Sequence, residues 1–333
     1  MRMFRAVIVA AAFTAAATGA QAEVGEISLA RQFGVSFLPL MVMEHDRLVE
    51  KRAKTAGLGD VKVTWANFAG PSVMNDALIS GSLTFASVGV PSVVTLVERT
   101  RGNADVKGIA AYCSYPLSLN TRNPNVKSIR DLTDKDRIAV PSVKVSTQAI
   151  VLQMAAEKAF GPGNHTRLDS LTVSLSHPDA MAALLSGKEI NAHFATSPFH
   201  EEEMKVPGIH TILNSYDVLG GRATAIVLVA SGKFRDANPK TYAAVFQALG
   251  EAIDTINKDK RAAAQLYLDM TRDKRSSLED IVKILNDPQF VYTLTPEKVF
   301  VTAEFMHKIG MAKVKPASWK DYFFPEAQGL PGN

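Results

Sequence analysis

FAGPSVMNDALISGSLTFASVGVPS, residues 68–92, decides the architecture of this chain. Its first residues leave a strand, because Val61-Lys62-Val63-Thr64-Trp65 just before them alternates apolar and polar side chains. Gly70-Pro71-Ser72 then opens a helix, since proline suits a first helical turn. Gly81 ends that helix. Leu83 to Ala86 reads as the next strand, and Ser87 to Ser92 as its exit turn into a further helix. Working outward, Ile27 to Ala30 is an earlier strand with a loop at Arg31 to Phe37 and a helix over Leu38 to Lys54, and Val106 to Tyr112 is a later strand. The order β-α-β-α-β calls for a parallel sheet covered by helices.

The middle of the chain repeats the style. Strands are expected at 116–121, 137–140, 171–175, 190–194 and 209–214, with helices or turns between them. Pro141 to Thr147 leads into a helix reaching Phe160, and Ser197-Pro198 opens another. Ala223 to Ala230 is a β-branched, apolar strand. Beyond Gly232 the pattern becomes helical, at 239–257, 260–270, 277–285 and 296–309.

The amino terminus has its own grammar. Arg2 and Arg5 precede an apolar run from Ala6 to Ala17, and Ala20-Gln21-Ala22 supplies small residues for cleavage. This is the order of a secretory signal peptide at 1–22. Its removal leaves 311 residues, enough for two lobes, and lowers the formal charge from +4 to +2. So mild a charge gives no footing for nucleic acid. Cys113 is the only cysteine, so an exported chain must rely on its core rather than on an internal disulfide, and Cys113 is expected to be a buried thiol in a strand.

Three loops share a chemistry: Phe68 to Ser72, Ser87 to Ser92, and Ser142 to Thr147. Each leaves a strand, carries Gly, Ser, Thr or Pro, and enters a helix. Free backbone N–H groups at helix starts bind anions without a basic side chain. The same serines and threonines also serve as helix caps. In open parallel sheets ligands sit at the carboxyl ends of strands, so two such halves imply a cleft between them.

On these residues the chain resembles the periplasmic substrate-binding components of nitrate-, sulfonate- and taurine-type ABC importers, a group that includes thiamine-precursor binding proteins. The carriers are the turn, helix and strand at 68–86, the ligand turn Ser87-Val88-Gly89-Val90-Pro91, Lys127 to Leu132 followed by Arg137 to Ser142, and Asp179 to Ala192. The resemblance implies an α/β, two-lobed periplasmic binding protein fold of type II. Each lobe would be a mixed β-sheet flanked by helices, with the ligand in the interlobe cleft. Lobe 1 would hold 23–114 plus 229–333, and lobe 2 would hold 115–228, with hinges near Cys113 to Pro116 and Ala225 to Ala230. The implied role is capture of a small solute by hinge closure and delivery to a permease with its ATPase. The protein is then expected to be a periplasmic monomer with no cofactor, no metal and no catalytic activity.

The ligand-binding candidates are Gln32, Phe33 and Gly34 of the first loop, Phe68 and Ser72, Ser87, Val88 and Gly89, Tyr112, Ser142, Val143, Ser146 and Thr147, Ser197, and Arg222. Arg222 follows Gly220-Gly221 and could clamp a carboxylate or sulfonate in two-pronged fashion, or stand as a solvated turn arginine. Phe33, Phe68 and Tyr112 could wall a pocket or sit in the core. His193, His200 and His210 meet no metal-ligand spacing, and Glu201 to Glu203 reads as a solvated helix face. Where the family carries an acidic residue and a tryptophan, this chain has Phe194-Ala195-Thr196-Ser197-Pro198-Phe199, which speaks against an amine-bearing ligand such as taurine. The expected solute is organic with an anionic head. A pyrimidine-like heterocycle, a role as ligand-loaded partner of a membrane sensor, and a secreted enzyme without a recognisable motif stay open as alternatives; no G-x-S-x-G, H-E-x-x-H or Walker loop is present.

Overall fold

The computed structural model describes residues 22–333. The signal peptide read at 1–22 lies outside them, Ala22 aside. The strands are β1 (Glu26–Arg31), β2 (Lys62–Asn67), β3 (Phe85–Val88), β4 (Lys107–Ser114), β5 (Ser118–Thr121), β6 (Ile138–Val140), β7 (Thr172–Ser174), β8 (Ala192–Ala195), β9 (His210–Asn214) and β10 (Thr224–Ala230). They form two five-stranded sheets, ordered β2-β1-β3-β10-β4 and β7-β6-β8-β5-β9. The fold is two-lobed, one mixed sheet to each lobe, with helices against both.

Each sheet contains strands running parallel and one that reverses them. In the first sheet β1 pairs parallel with β2 and β3, whereas β10 pairs antiparallel with β3 and β4. In the second, β6 pairs parallel with β7 and β8, whereas β5 pairs antiparallel with β8 and β9. The reversing strands β5 and β10 are the first strands after the chain crosses between lobes. Every residue of β10 is buried, in keeping with its apolar run from Ala225 to Ala230.

This pairing corrects the second hinge. All of β10 lies in the first sheet, so the return crossing is complete before Thr224 and not within 225–230. A strand with every residue buried belongs inside its sheet, and pairing with β3 on one edge and β4 on the other gives it that place. The first crossing runs through Tyr115 to Leu117, between β4 and β5.

Most elements stand where the periodicity puts them. The expected helix at 38–54 is broken: Leu38–His45 and Leu48–Thr55 are separate, with Arg47 left-handed at φ 53°. A left-handed L-residue cannot continue a right-handed helix. Cys113 lies fully buried in β4, as expected. No described helix is long and apolar enough to cross a membrane.

Candidate functional site: the seam between the lobes

The loops after β1, β2 and β3 meet those after β6, β7 and β8. Val35 N–H donates to the Ser197 carbonyl at 3.1 Å, and Ser72 N–H donates to Ser142 Oγ at 3.3 Å. Gly70 lies against the Pro141 carbonyl and Gly89 against the Thr147 hydroxyl. The lobes are therefore shut on each other. Between them remains a cavity of about 30 Å3, lined by Gln32, Phe37, Pro71, Gly89, Tyr115 and Leu117, by Pro141, Ser146, Thr147, Gln148, His177 and Thr196, and by Ala225 and Ile226.

The lining offers donors and no ionic partner: it contains no Lys, Arg, Asp or Glu. Ser146 caps the helix Thr147–Phe160, its Oγ accepting from Ala149 N–H at 3.3 Å and donating to the Ser142 carbonyl at 2.9 Å. The N–H groups of Thr147 and Gln148 fall in the first turn, where the helix itself supplies no acceptor. Gln32 spends its amide on the Ser87 carbonyl at 3.4 Å. Thr196 Oγ1 and the nearby Ser36 Oγ are buried without a partner. Both stand beside the Tyr115 phenol yet complete no hydrogen bond with it. Burial first, and Cys113 second, push the Tyr115 hydroxyl up to about 12, so it remains a donor at neutral pH.

The candidates divide four ways. Gln32, Gly89, Ser146 and Thr147 line the cavity. Gly34, Ser72, Ser142 and Ser197 form the seam itself, through the contacts named above and the approach of Gly34 to the Ser197 carbonyl. Phe33 lines, with Gln32 and Gly34, a second cavity of about 550 Å3 that Pro178, Met181, Pro198 and Phe199 of the second lobe also border. The others correct the sequence reading. Phe68, Val88 and Val143 pack against apolar clusters, and Tyr112 is wholly buried in the core. Their apolar surface is better removed from water in the core than in so small a cavity. Ser87 is buried beneath the cavity, its Oγ near the Tyr112 hydroxyl without a completed hydrogen bond. Arg222 is not in the cleft. Its Nε lies 2.8 and 3.0 Å from the two carboxylate oxygens of Glu297, and its Nη2 2.5 Å from one of them, on the outer surface. The two-pronged partner it was expected to seek is a side chain of its own protein.

Ten lining residues were not among the candidates, and four of them are polar: Tyr115, Gln148, His177 and Thr196. His177 had a usable signal, for Ser174-Leu175-Ser176-His177-Pro178 is another strand exit entering a helix. Thr196 sits at the end of β8, on the same logic.

Behind His177 runs a buried polar chain. Gln148 Nε2 lies 3.3 Å from His177 Nε2, His177 Nδ1 lies 2.8 Å from His193 Nε2, and His193 Nδ1 lies 2.5 Å from Glu203 Oε1. Asn120 Nδ2 donates to Glu203 Oε2 at 2.8 Å and lies 3.1 Å from His200 Nδ1. This corrects the helix face expected at Glu201 to Glu203: Glu203 is fully buried because the turn carries it onto His193. Among the described residues no group of three or more His, Cys, Asp or Glu is arranged to hold a metal.

The alkanesulfonate-binding protein SsuA of Xanthomonas axonopodis pv. citri, solved with MOPS bound, superposes with a TM-score of 0.67 at 18% identity, over 92% of this chain and 98% of that one. A Bordetella bronchiseptica protein gives 0.71 at 21% identity, over 91% and 96%. The periplasmic nitrate-binding protein NrtA of Synechocystis gives 0.65 at 15% identity, over 92% and 86%. At these identities the likeness is one of fold. No functionally curated protein matches the chain. A family model does match, over residues 20–268, and by that match the chain belongs to the NMT1-like family.

Proposed function

We propose that this protein is the solute-binding component of an ABC importer, capturing a small organic anion of sulfonate or carboxylate type by closure of its lobes and presenting it to a membrane permease. The observation that carries the reading is the start of the helix Thr147–Phe160, whose first-turn residues Thr147 and Gln148 line, with Thr196 and its unpartnered hydroxyl, a cavity shared by both lobes. A helix amino terminus attracts negative charge through oriented N–H groups and the helix dipole. Neutral donors suit a solute that must be released, because no fixed countercharge holds it. The shut seam supports hinge closure, and its small volume calls for a compact head group or for a lobe position slightly more open around a larger one. Export to the periplasm and a permease partner are part of the same proposal.

The test is a melting panel of alkanesulfonates, aromatic carboxylates, nitrate, bicarbonate and pyrimidines with the mature chain. A ligand at one hundred times its Kd stabilises the folded state by about 2.7 kcal/mol. A raised Tm with a sulfonate or carboxylate is the expected result. A response to pyrimidines alone would replace the anionic reading, and turnover of an ester or amide with no response would replace binding by catalysis.

A further inference from the structure

The chain of buried groups behind the cavity has two protonation patterns, and they present opposite faces to a solute. Glu203 is fully buried, with His193 its only ionisable hydrogen-bond partner. Its Oε1 takes the Nδ1–H of His193, so His193 Nε2 is left to face His177 Nδ1. Only one proton fits between those two ring nitrogens. If it belongs to His177, then His177 Nε2 carries a lone pair towards Gln148 and the cavity. The group as a whole, Glu203 included, then bears one negative charge. The Gln148 nitrogen placed 3.3 Å from His177 Nε2 matches this pattern, an N–H donating to that lone pair. If one more proton enters, His193 becomes an imidazolium paired with Glu203 and donates to His177 Nδ1. His177 then carries its own proton on Nε2, and its cavity-facing atom changes from acceptor to donor. The relay is neutral, and Gln148 must turn its oxygen to His177, or turn away from it.

We propose that His177 selects an anionic solute by this second pattern, and that the solute is bound together with one proton taken up from solvent by the His177–His193–Glu203 group. The inference rests on the binding reading above and names how that site distinguishes charge. An anion against a lone pair backed by a buried carboxylate is repelled; against an N–H backed by a neutral ion pair it is held. The surroundings supply no competing charge. His177 is stacked on Phe199, 5.6 Å away, and meets only Gln148 from the helix Thr147–Phe160. Asp179, on its own helix, is engaged by Ser176, and from the helix Phe199–Met204 the titratable groups turned inward are Glu203 and His200, the latter against Asn120. The strand β5 contributes Asn120, which is not titratable. Burial, and then His193, hold His177 well below the usual histidine range, so His177 stays neutral in both patterns and only relays the direction of the proton.

Calorimetry of the mature protein with ethanesulfonate, nitrate and benzoate decides it. Ethanesulfonate and nitrate do not titrate near neutral pH, so any proton bound belongs to the protein. Titrations at pH 7 in phosphate and in Tris, whose ionisation enthalpies differ, should give an uptake approaching one proton. The Kd should fall as pH falls from 8 to 6, by at most about tenfold per unit. Glu203→Gln, which keeps an acceptor for His193, should abolish both the uptake and the pH dependence. Histidine nitrogen NMR of the protein without solute should find His177 protonated on Nδ1 and bare on Nε2. An anion that binds without proton uptake, or an Nε2–H tautomer of His177 before binding, overturns this inference and leaves the binding reading intact. Binding of neutral solutes only, or of none in the melting panel, overturns both.

Discussion

Gly89 of the first lobe packs so closely on Thr147 of the second that a Cβ at position 89 would overlap the Thr147 hydroxyl oxygen. A Cβ at Gly70 would likewise overlap the Pro141 carbonyl oxygen and stand 2.7 Å from Ser142 Oγ. Neither glycine is required by its own backbone: φ is −75° at Gly89 and −170° at Gly70, values any residue adopts. Only closure demands them. Gly70→Ala and Gly89→Ala should therefore hold the lobes apart, weakening solute binding at least about tenfold, or 1.4 kcal/mol. The solute-free protein should melt near the parent. Calorimetry and thermal melts check the two halves; unchanged affinity in both variants would mean that the solute-bound form is more open than this seam.

Arg222→Ala should leave solute affinity unchanged. The guanidinium is half exposed and engaged by Glu297, away from the cavity. Exposed ion pairs contribute about 0–1 kcal/mol, so the expected cost is a small drop in Tm. A tenfold loss of binding in titration would place this arginine back in the site.

The contrast between Arg222 and Gly89 shows what sequence could and could not supply. Strand exits, helix starts and turn glycines are local, so 68–92 could be read directly and Gly89, Ser146 and Thr147 followed from it. Arg222 was misread because Glu297 is 75 residues away in the chain. Glu203 was misread because a run of three glutamates looks solvated, while its burial depends on His193 from a neighbouring strand. Phe68 and Val143 stand in loops of the right type, but which way a side chain turns from such a loop is set by the apolar cluster beneath it. The second hinge was displaced for the same reason, since only strand pairing assigns β10 to a sheet.

His193→Leu should be among the most damaging single changes. Glu203 and His193 are both fully buried, and removing the histidine leaves the carboxylate with Asn120 alone. Leaving a buried charged acceptor without its hydrogen-bond partner costs about 1–3 kcal/mol or more. Urea unfolding should show the midpoint falling accordingly. A loss below about 1 kcal/mol would mean that Glu203 is held protonated instead.

The Cys113 thiol should not react with a thiol reagent in the folded protein at pH 8. It is fully buried, and burial raises its pKa well above the usual cysteine range, so both access and thiolate are lacking. One equivalent should react once the chain is unfolded in guanidinium. Rapid labelling of the native protein would show that β4 opens to solvent, which would in turn mark the lobe crossing next to it as labile.

Asp280 gives a test on the acid side. Its carboxylate accepts from Ser277 N–H at 2.9 Å, closing a capping box, and from Lys205 Nζ at 2.9 Å, which ties the helix Leu278–Asn286 to the second lobe. The Ser277 backbone first, and Lys205 next, hold Asp280 down to about 2. An unfolded aspartate titrates at about 3.9. The folded value is the lower one, so the stabilisation is fully present above about pH 4 and is lost as pH falls through about 2. Asp280→Asn should therefore cost less than about 1 kcal/mol at pH 7, since the pair is partly exposed. The gap between variant and parent should close as the medium is taken to pH 2. Urea melts of both proteins across pH 2–7 measure it, and a gap independent of pH would assign the loss to cap geometry rather than to the charge of Asp280.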